Sequence, residues 1–195
     1  MHVKLFTLIL ILVGAIMHGQ TKTYVIKVAG VKVGNLYATH SKSNSFDYYV
    51  TKSNVEVSFA RVKIDTKTES VYNNGVLVKS VVTSTINGKP YTSKTTWEKD
   101  HYKIDCNTHK YAYKDSTLKK PIVWSVSRLY FEKPAPGTEV YAESYGKHGK
   151  IIQQADKSLK LVAPESKHIY FYSDENKLLK LEIVNSIKNF EIIAE

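Results

Sequence analysis

The sequence predicts an all-β protein: a single antiparallel meander whose sheet is strongly curved or forms a half-open barrel. Three observations support this prediction. From Thr23 onward, apolar and polar residues alternate with a period of two, as in strands with one buried face. Asn74-Gly75 and Asn87-Gly88 are dipeptides favoured in two-residue hairpin turns. The predicted strands follow one another without alternating helices, which argues against a parallel α/β fold.

The first predicted strand places Tyr24, Ile26 and Val28 on one face and ends at a turn at residues 29–30. Further along, the apolar phase changes from odd to even positions near Ala60. A one-residue slip moves side chains to the opposite face, so this change predicts a β-bulge near Ala60. A meander of ten or more strands accumulates twist, and we therefore expect the sheet to curl.

One segment departs from the strand pattern. Ile122, Val126, Leu129 and Tyr130 are spaced as on one face of a helix, which predicts a short helix over residues 122–130 lying across the concave face or in an open end. The Pro-rich loop that follows cannot continue a helix or a strand. The later strands are predicted at residues 139–145, 150–154, 159–163, 169–172, 178–183 and 190–193.

The N-terminus is typical of a secretory signal. A short basic start precedes an apolar run from Leu5 to Met17, which is too short to span a bilayer, and polar residues follow it. We expect residues 1–19 to be a signal peptide and residues 20–195 to form one β domain. The protein is then exported, to the periplasm or the extracellular space.

The formal net charge of +10 comes from basic residues distributed along the chain without a long Lys/Arg run. An exported basic domain meets anionic membrane surfaces or acidic envelope components, so we expect peripheral contact with an anionic membrane surface and no nucleic acid partner. The single cysteine excludes an intramolecular disulfide and a cysteine-cluster metal site. We expect a monomer with no cofactor.

Few residues are candidates for catalysis or metal binding. Cys106 and His109 are close in sequence, but Cys106 shares its predicted face with Tyr102 and Ile104, which places its thiol in the core. His101 and His109 with Asp105 are too few for a zinc site with its supporting partners. Three acidic residues lie near the predicted helix and are interpreted as surface groups: Glu132, Glu139 and Glu143. We therefore expect no catalytic residue and no metal, although a hydrolase with an unrecognised site stays open.

Two segments resemble an uncharacterised family of exported Bacteroidota β-proteins, a domain of unknown function. Leu129–Pro134 resembles its LYFE-x-P motif, with Lys133 where the family usually has a second Glu. Val71–Leu77 is similar to its hairpin, and the resemblance covers most of the mature chain. More distantly, the strand layout resembles periplasmic half-barrels of the lipoprotein-carrier type. Neither resemblance implies a catalytic residue.

Aromatic residues gather in the second half of the chain, where they either fill a curved core or line a ligand cavity. The candidate ligand-binding residues are Trp97, Trp124, Tyr130, Phe131, Tyr141, Tyr145 and Tyr172. The function expected is that of a non-enzymatic cell-envelope protein that binds a lipid or another apolar ligand. The alternative is a structural or assembly partner of envelope proteins that binds through an exposed sheet edge.

Overall fold

The computed structural model describes residues 18–163, 166–184 and 189–195. All but the last two residues of the predicted signal peptide lie outside these described residues. The described part of the chain forms one antiparallel sheet of fourteen strands. The strands are β1 His18–Val28, β2 Val31–Ser43, β3 Phe46–Val57, β4 Val62–Asn73, β5 Val76–Ile86, β6 Lys89–Glu98, β7 His101–Asn107, β8 Ala112–Asp115, β9 Glu139–Ala142, β10 Lys147–Gln153, β11 Leu159–Ala163, β12 Ser166–Tyr172, β13 Leu178–Val184 and β14 Phe190–Ala194.

The order of the strands explains the shape of the sheet. From β1 the chain steps outward, strand by strand, to β8 at one edge. Residues 116–138, which we call the crossing segment, then carry it to β9 at the opposite edge, and the remaining strands step back until β14 pairs with β1. The all-β meander predicted from the sequence is confirmed, and the sheet is curved but not closed.

The two edges of the sheet approach each other without pairing as strands. The turn after β9 packs against β6 and β7: Ser93 Oγ donates to the Ser144 carbonyl at 2.9 Å, and Cys106 Sγ lies 3.7 Å from the Glu143 carbonyl. We call this contact between the turn after β9 and strands β6 and β7 the seam. Side-chain contacts across it take the place of a strand-to-strand ladder.

The crossing segment lies inside the curve of the sheet. Its Ile122 carbonyl accepts the Leu77 N–H at 2.8 Å, and its Trp124 carbonyl accepts the Tyr141 N–H at 2.8 Å. These contacts fix the segment to β5 on one side and to β9 on the other, which places it across the concave face as predicted.

The predicted helix at residues 122–130 is wrong in type and extent. Only Val126–Tyr130 are helical, as a 3-10 helix, and residue 125 forms an isolated bridge with Tyr141 in an otherwise extended stretch. The helical spacing of the apolar residues has another cause. Ile122 and Leu129 are both fully buried, but they belong to two different core clusters and do not share one helix face.

The β-bulge predicted near Ala60 is also wrong. β3 and β4 are two strands joined by a tight turn, in which Ser58–Ala60 form a 3-10 helix and Arg61 has a left-handed backbone with φ of 50°. Val57 pairs with Val62 across this turn, so both face the interior. The change of phase marks a hairpin rather than a slip within one strand.

The other hairpin predictions are confirmed. Asn74-Gly75 and Asn87-Gly88 both have positive φ at the two turn positions, and so do Ala29-Gly30. The strand predicted at residues 139–145 ends at Ala142, because the chain turns there to enter β10 at Lys147. Among the described residues, no helix is long and apolar enough to span a membrane.

Candidate functional site

The concave face of the sheet encloses unfilled space at one end. Two cavities of about 310 Å³ each lie there, and they adjoin, because Ile64, Thr66, Ser144 and Ile183 line both. Together we call them the concave cavity. A volume of this size is at the lower end of the range for small-molecule sites.

Small hydroxyl side chains create the space. Ser53 on β3 pairs with Thr66 on β4, which pairs with Ser84 on β5, so their side chains form a row on one face. Thr51 and Thr68 form the next row toward the interior of the sheet. These side chains are too short to reach across the curved sheet, and they leave room where larger residues would fill it.

The hydroxyl groups are available for hydrogen bonding. Thr66 Oγ1 and Ser84 Oγ lie 3.1 Å apart and pair with each other. A hydroxyl that donates one hydrogen bond keeps acceptor capacity for a ligand. This wall of the cavity can therefore accept hydrogen bonds from a bound molecule without ionic groups.

The opposite wall is apolar. It is formed by side chains of β1, β2, β13 and β14, and the 3-10 helix covers the inner end with Val126 and Tyr130. Ile183 and Phe190 stay partly accessible although they face the interior. The apolar residues of this wall are Ile26, Leu36, Ile183, Phe190 and Ile192, while Val55 and Ile64 lie on β3 and β4 beside the hydroxyl rows.

The lining of the concave cavity holds no carboxylate, ammonium or guanidinium group among the described residues, and His109 is the one imidazole in it. Partial desolvation, reinforced by the neighbouring Lys110 ammonium, lowers the pKa of His109. A site of this kind favours an uncharged, apolar body, because desolvation of apolar surface is favourable and no buried charge has to be neutralised.

The other end of the curved sheet is filled. The crossing segment, β7 and β9 contribute a second core cluster with Tyr49, Tyr72, Tyr102, Ile122 and Tyr141. Tyr141 is fully buried and its hydroxyl lies 2.6 Å from Thr95 Oγ1, and burial raises the pKa of Tyr141. This end is a packed aromatic core.

The structure separates the seven aromatic residues that the sequence predicted as a ligand site. Tyr130 and Tyr145 line the concave cavity. Trp97, Phe131 and Tyr141 pack in the aromatic core. Trp124 and Tyr172 pack against the larger core cluster, which contains Tyr24, Leu129 and Leu181, and the Tyr172 hydroxyl donates to the Leu129 carbonyl at 2.8 Å.

The hydroxyl rows were not recognised from the sequence. Their signal is present there, because Ser53 and Thr66 share the alternation phase of the inward-facing Val55 and Ile64. A serine or threonine at an inward position marks a place where the core is not filled by an apolar side chain.

Glu143 is not the surface acid that the sequence predicted. Its side chain is 3% exposed, and its carboxylate accepts hydrogen bonds from Ser70 Oγ at 3.1 Å, Val126 N at 3.0 Å and Ser127 N at 3.1 Å. These three hydrogen bonds, one from β4 and two from the 3-10 helix, hold the helix against β4. The contact forms the inner boundary of the cavity.

Glu132 also has a structural environment. Its carboxylate accepts the Tyr49 hydroxyl at 2.7 Å and the Arg128 guanidinium at 2.7 Å, and the Arg128 guanidinium stacks on Trp124 with 4.6 Å between its central carbon and the ring centroid. These bonds attach the end of the 3-10 helix to β3.

The candidate catalytic cysteine is buried. Desolvation raises the pKa of Cys106 to about 11, and Sγ faces the turn after β9. A thiol in this environment is protonated at neutral pH and is not a nucleophile. In the described part of the chain, no group of three or more His, Cys, Asp or Glu side chains is placed to hold a metal ion.

Fold and cavity together define the class of protein: a barrel-like β-protein with a partly filled concave face. The chain belongs to the family described as a domain of unknown function, DUF6134, whose model matches residues 24–195. This confirms the expectation of an uncharacterised β-protein family, whereas the bacterial group and its motif stay predictions. No curated protein shows significant sequence similarity to the chain.

Among solved structures, the chain is similar to the beta-barrel-like protein of domain of unknown function DUF1849 from Brucella abortus. The TM-score is 0.51 at 8% sequence identity, and the alignment covers 90% of this chain and 95% of that chain. At this identity the similarity concerns the fold alone, and it agrees with the curved, barrel-like sheet.

Proposed function

We propose that this protein is an exported, non-enzymatic binding protein that holds a lipid or another elongated apolar molecule in the concave cavity. The observation that carries the proposal is the asymmetric lining, with a wall of Ile and Phe side chains facing rows of Ser and Thr hydroxyls. An apolar body buried against the first wall loses water, and the hydroxyls orient a polar group of the ligand.

The direct test uses N-phenyl-1-naphthylamine, an uncharged dye that becomes fluorescent in apolar sites. Wild-type protein is expected to bind it saturably. The variant Thr66→Phe fills the cavity where its two halves meet and is expected to reduce binding at least tenfold. Thr83→Phe is the matched control, because Thr83 is exposed on the convex face of the neighbouring strand, opposite Lys67.

Thermal unfolding of both variants is recorded first, so that loss of binding is not confused with loss of the fold. Equal dye binding by Thr66→Phe and Thr83→Phe would contradict the proposal. A second measurement is mass spectrometry of solvent extracts from natively purified protein, in which a stoichiometric apolar ligand is expected from the wild type and a depleted one from Thr66→Phe.

Export is part of the proposal and rests on the apolar N-terminal segment. Sequencing the N-terminus of protein recovered from the cell envelope tests it. The expected mature chain lacks the apolar run that ends at Met17, and recovery of an intact N-terminus from the cytoplasm would contradict export.

A second candidate function, binding to an envelope protein, is favoured by the convex face. Ile152 and Leu179 are each about half exposed there. The test is a pull-down from envelope extract with two variants, Thr66→Phe and the double variant Ile152→Glu plus Leu179→Glu. A partner protein that binds Thr66→Phe but not the double variant would support this candidate. The same partners with both variants would count against it.

A further inference from the structure

A lysine, Lys89, lies at the mouth of the concave cavity, next to its uncharged lining. Tyr91 lines the cavity on β6, and the Lys89 ammonium lies 5.7 Å from the centroid of the Tyr91 ring. The His109 ring contacts the same tyrosine edge-to-face, with 6.2 Å between the centroids. Tyr91 thus contacts both an ammonium and an imidazole.

The strand pairing places Lys89 at the edge of the cavity. Lys89 pairs directly with Ile86, which lines the cavity, and it lies two residues before Tyr91 on the same face of β6. Its side chain is exposed. The position is therefore at the mouth, where an ammonium keeps its hydration while reaching the end of a bound molecule.

The turn between β7 and β8 adds His109, which lines the cavity, and its neighbour Lys110, and both are exposed. Desolvation and, to a smaller extent, the Lys110 ammonium lower the pKa of His109, so the Lys110 charge acts on this ring. Asp105 on β7 is bonded to Lys114 at 3.2 Å and pairs with the outward-facing Lys94, which places it on the convex side. Asp115 on β8 accepts hydrogen bonds from the hydroxyls of Tyr113 and Thr117.

We propose that the concave cavity takes a single-chain amphiphile with an anionic headgroup, whose chain lies along the apolar wall and whose headgroup meets Lys89, His109 and Lys110. This rests on the proposed function and goes beyond it, because it assigns charge and polarity to the ligand. An uncharged cavity interior with cations only at its mouth fits a molecule that is apolar along its length and anionic at one end.

The test is displacement of N-phenyl-1-naphthylamine at low ionic strength by three competitors: dodecanoate, dodecanol and inorganic phosphate. Dodecanoate is expected to displace the dye at a concentration about fivefold or more below that of dodecanol, a difference typical of one or two solvent-accessible ion pairs. Phosphate alone is expected not to displace the dye, because it lacks the chain. The advantage of dodecanoate is expected to shrink at high salt.

Charge reversal identifies the residues. Lys89→Glu combined with Lys110→Glu is expected to abolish the advantage of dodecanoate and to leave dodecanol and dye binding within about twofold of wild type. Lys79→Glu is the control, because Lys79 is exposed and pairs with Val71 on the convex face of β5. It is expected to leave the preference unchanged.

The outcomes separate the two proposals. Dye binding with equal displacement by dodecanoate and dodecanol overturns the headgroup assignment and leaves the apolar cavity in place. Loss of the preference in Lys79→Glu to the same degree as in the double variant also overturns it, since the effect is then one of net charge. Absence of any dye binding in the folded wild type overturns the proposed function and this inference together.

Discussion

The Glu143 carboxylate accepts the backbone N–H of Val126 at 3.0 Å and thereby caps a 3-10 helix that lies earlier in the chain. The residue before this helix, Ser125, makes no side-chain capping bond, so the distant glutamate supplies the acceptor that a local cap would provide. Ser70 Oγ donates to the same carboxylate from β4. One side chain therefore joins the crossing segment to the sheet.

Replacement of Glu143 by alanine is expected to lower the free energy of unfolding by roughly 3 kcal/mol, because two backbone N–H groups and one hydroxyl lose their acceptor in a buried site. The measurement is equilibrium denaturation in urea. Ser70→Ala is the matched variant: it removes one donor and leaves the other two bonds, so a loss of only about 1 kcal/mol is expected. Equal losses for the two variants would contradict the assignment of Glu143 as the cap.

Gly146 closes the seam between the two edges of the sheet. Its φ is +70°, and a Cβ at this position would lie 2.6 Å from Ile104 Cγ2 and 2.9 Å from Cys106 Sγ. Gly146→Ala is therefore expected to cost roughly 2–4 kcal/mol, from backbone strain together with overpacking. Differential scanning calorimetry measures the effect as a lower melting temperature.

Gly75→Ala isolates the backbone contribution to that cost. Gly75 has a similar φ of +78°, but no atom lies within 4 Å of a Cβ built there. Its cost is expected to be about 1 kcal/mol. If both glycine variants lose the same stability, the seam at residue 146 is not closely packed in solution.

The sequence predicts local structure where residue chemistry determines the turn. Asn74-Gly75 and Asn87-Gly88 predict their hairpins correctly, because asparagine and glycine adopt positive φ readily. The turn before β4 places Arg61 in the left-handed region, which an arginine rarely adopts, and no local signal distinguishes it from a bulge. The phase change near Ala60 therefore predicts a bulge where the structure has a hairpin.

The candidate site depends on long-range pairing that alternation cannot specify. Alternation places Thr66 on the inner face, but only the registers with Ser53 and Ser84 show that three small side chains are aligned. The burial of Glu143 likewise follows from the path of the crossing segment, which depends on β14 returning to pair with β1. Aromatic residues were the visible feature in the sequence, and most of them fill the core because their area makes burial favourable.

The Cys106 thiol is a reporter for opening of the seam. Burial raises its pKa to about 11, so little thiolate is present at pH 8 in the folded protein. Reaction with Ellman's reagent is expected to be about a hundredfold or more slower in native protein than in guanidinium chloride, with the rate set by local opening. Gly146→Ala is expected to accelerate the native reaction, because it forces the turn away from Sγ. Native labelling as fast as that of the denatured chain would show that the seam is open.

His168 makes stability depend on pH. It lies on the concave face, where it pairs with Leu161 and Ile183, and desolvation lowers its pKa to about 4. The unfolded chain, with a histidine pKa of about 6.5, binds the proton more readily, so unfolding takes up a proton between these two values. The contribution of neutral His168 to stability is therefore fully present above about pH 6.5 and is lost as the pH falls toward 4, by at most about 3 kcal/mol.

Urea denaturation at several pH values between 4 and 7.5 measures this dependence. Wild-type protein is expected to lose stability steadily below pH 6.5, and His168→Gln is expected to flatten the curve because glutamine does not titrate. His148→Gln is the comparison variant: burial lowers the pKa of His148 in the same direction, but the Glu139 carboxylate opposes the shift, so its effect on the slope is expected to be smaller. If His168→Gln keeps the wild-type slope, another group takes up the proton. The Tyr170 hydroxyl, 3.2 Å from Nδ1 of His168, is not that group, because burial raises the pKa of Tyr170 far above this range.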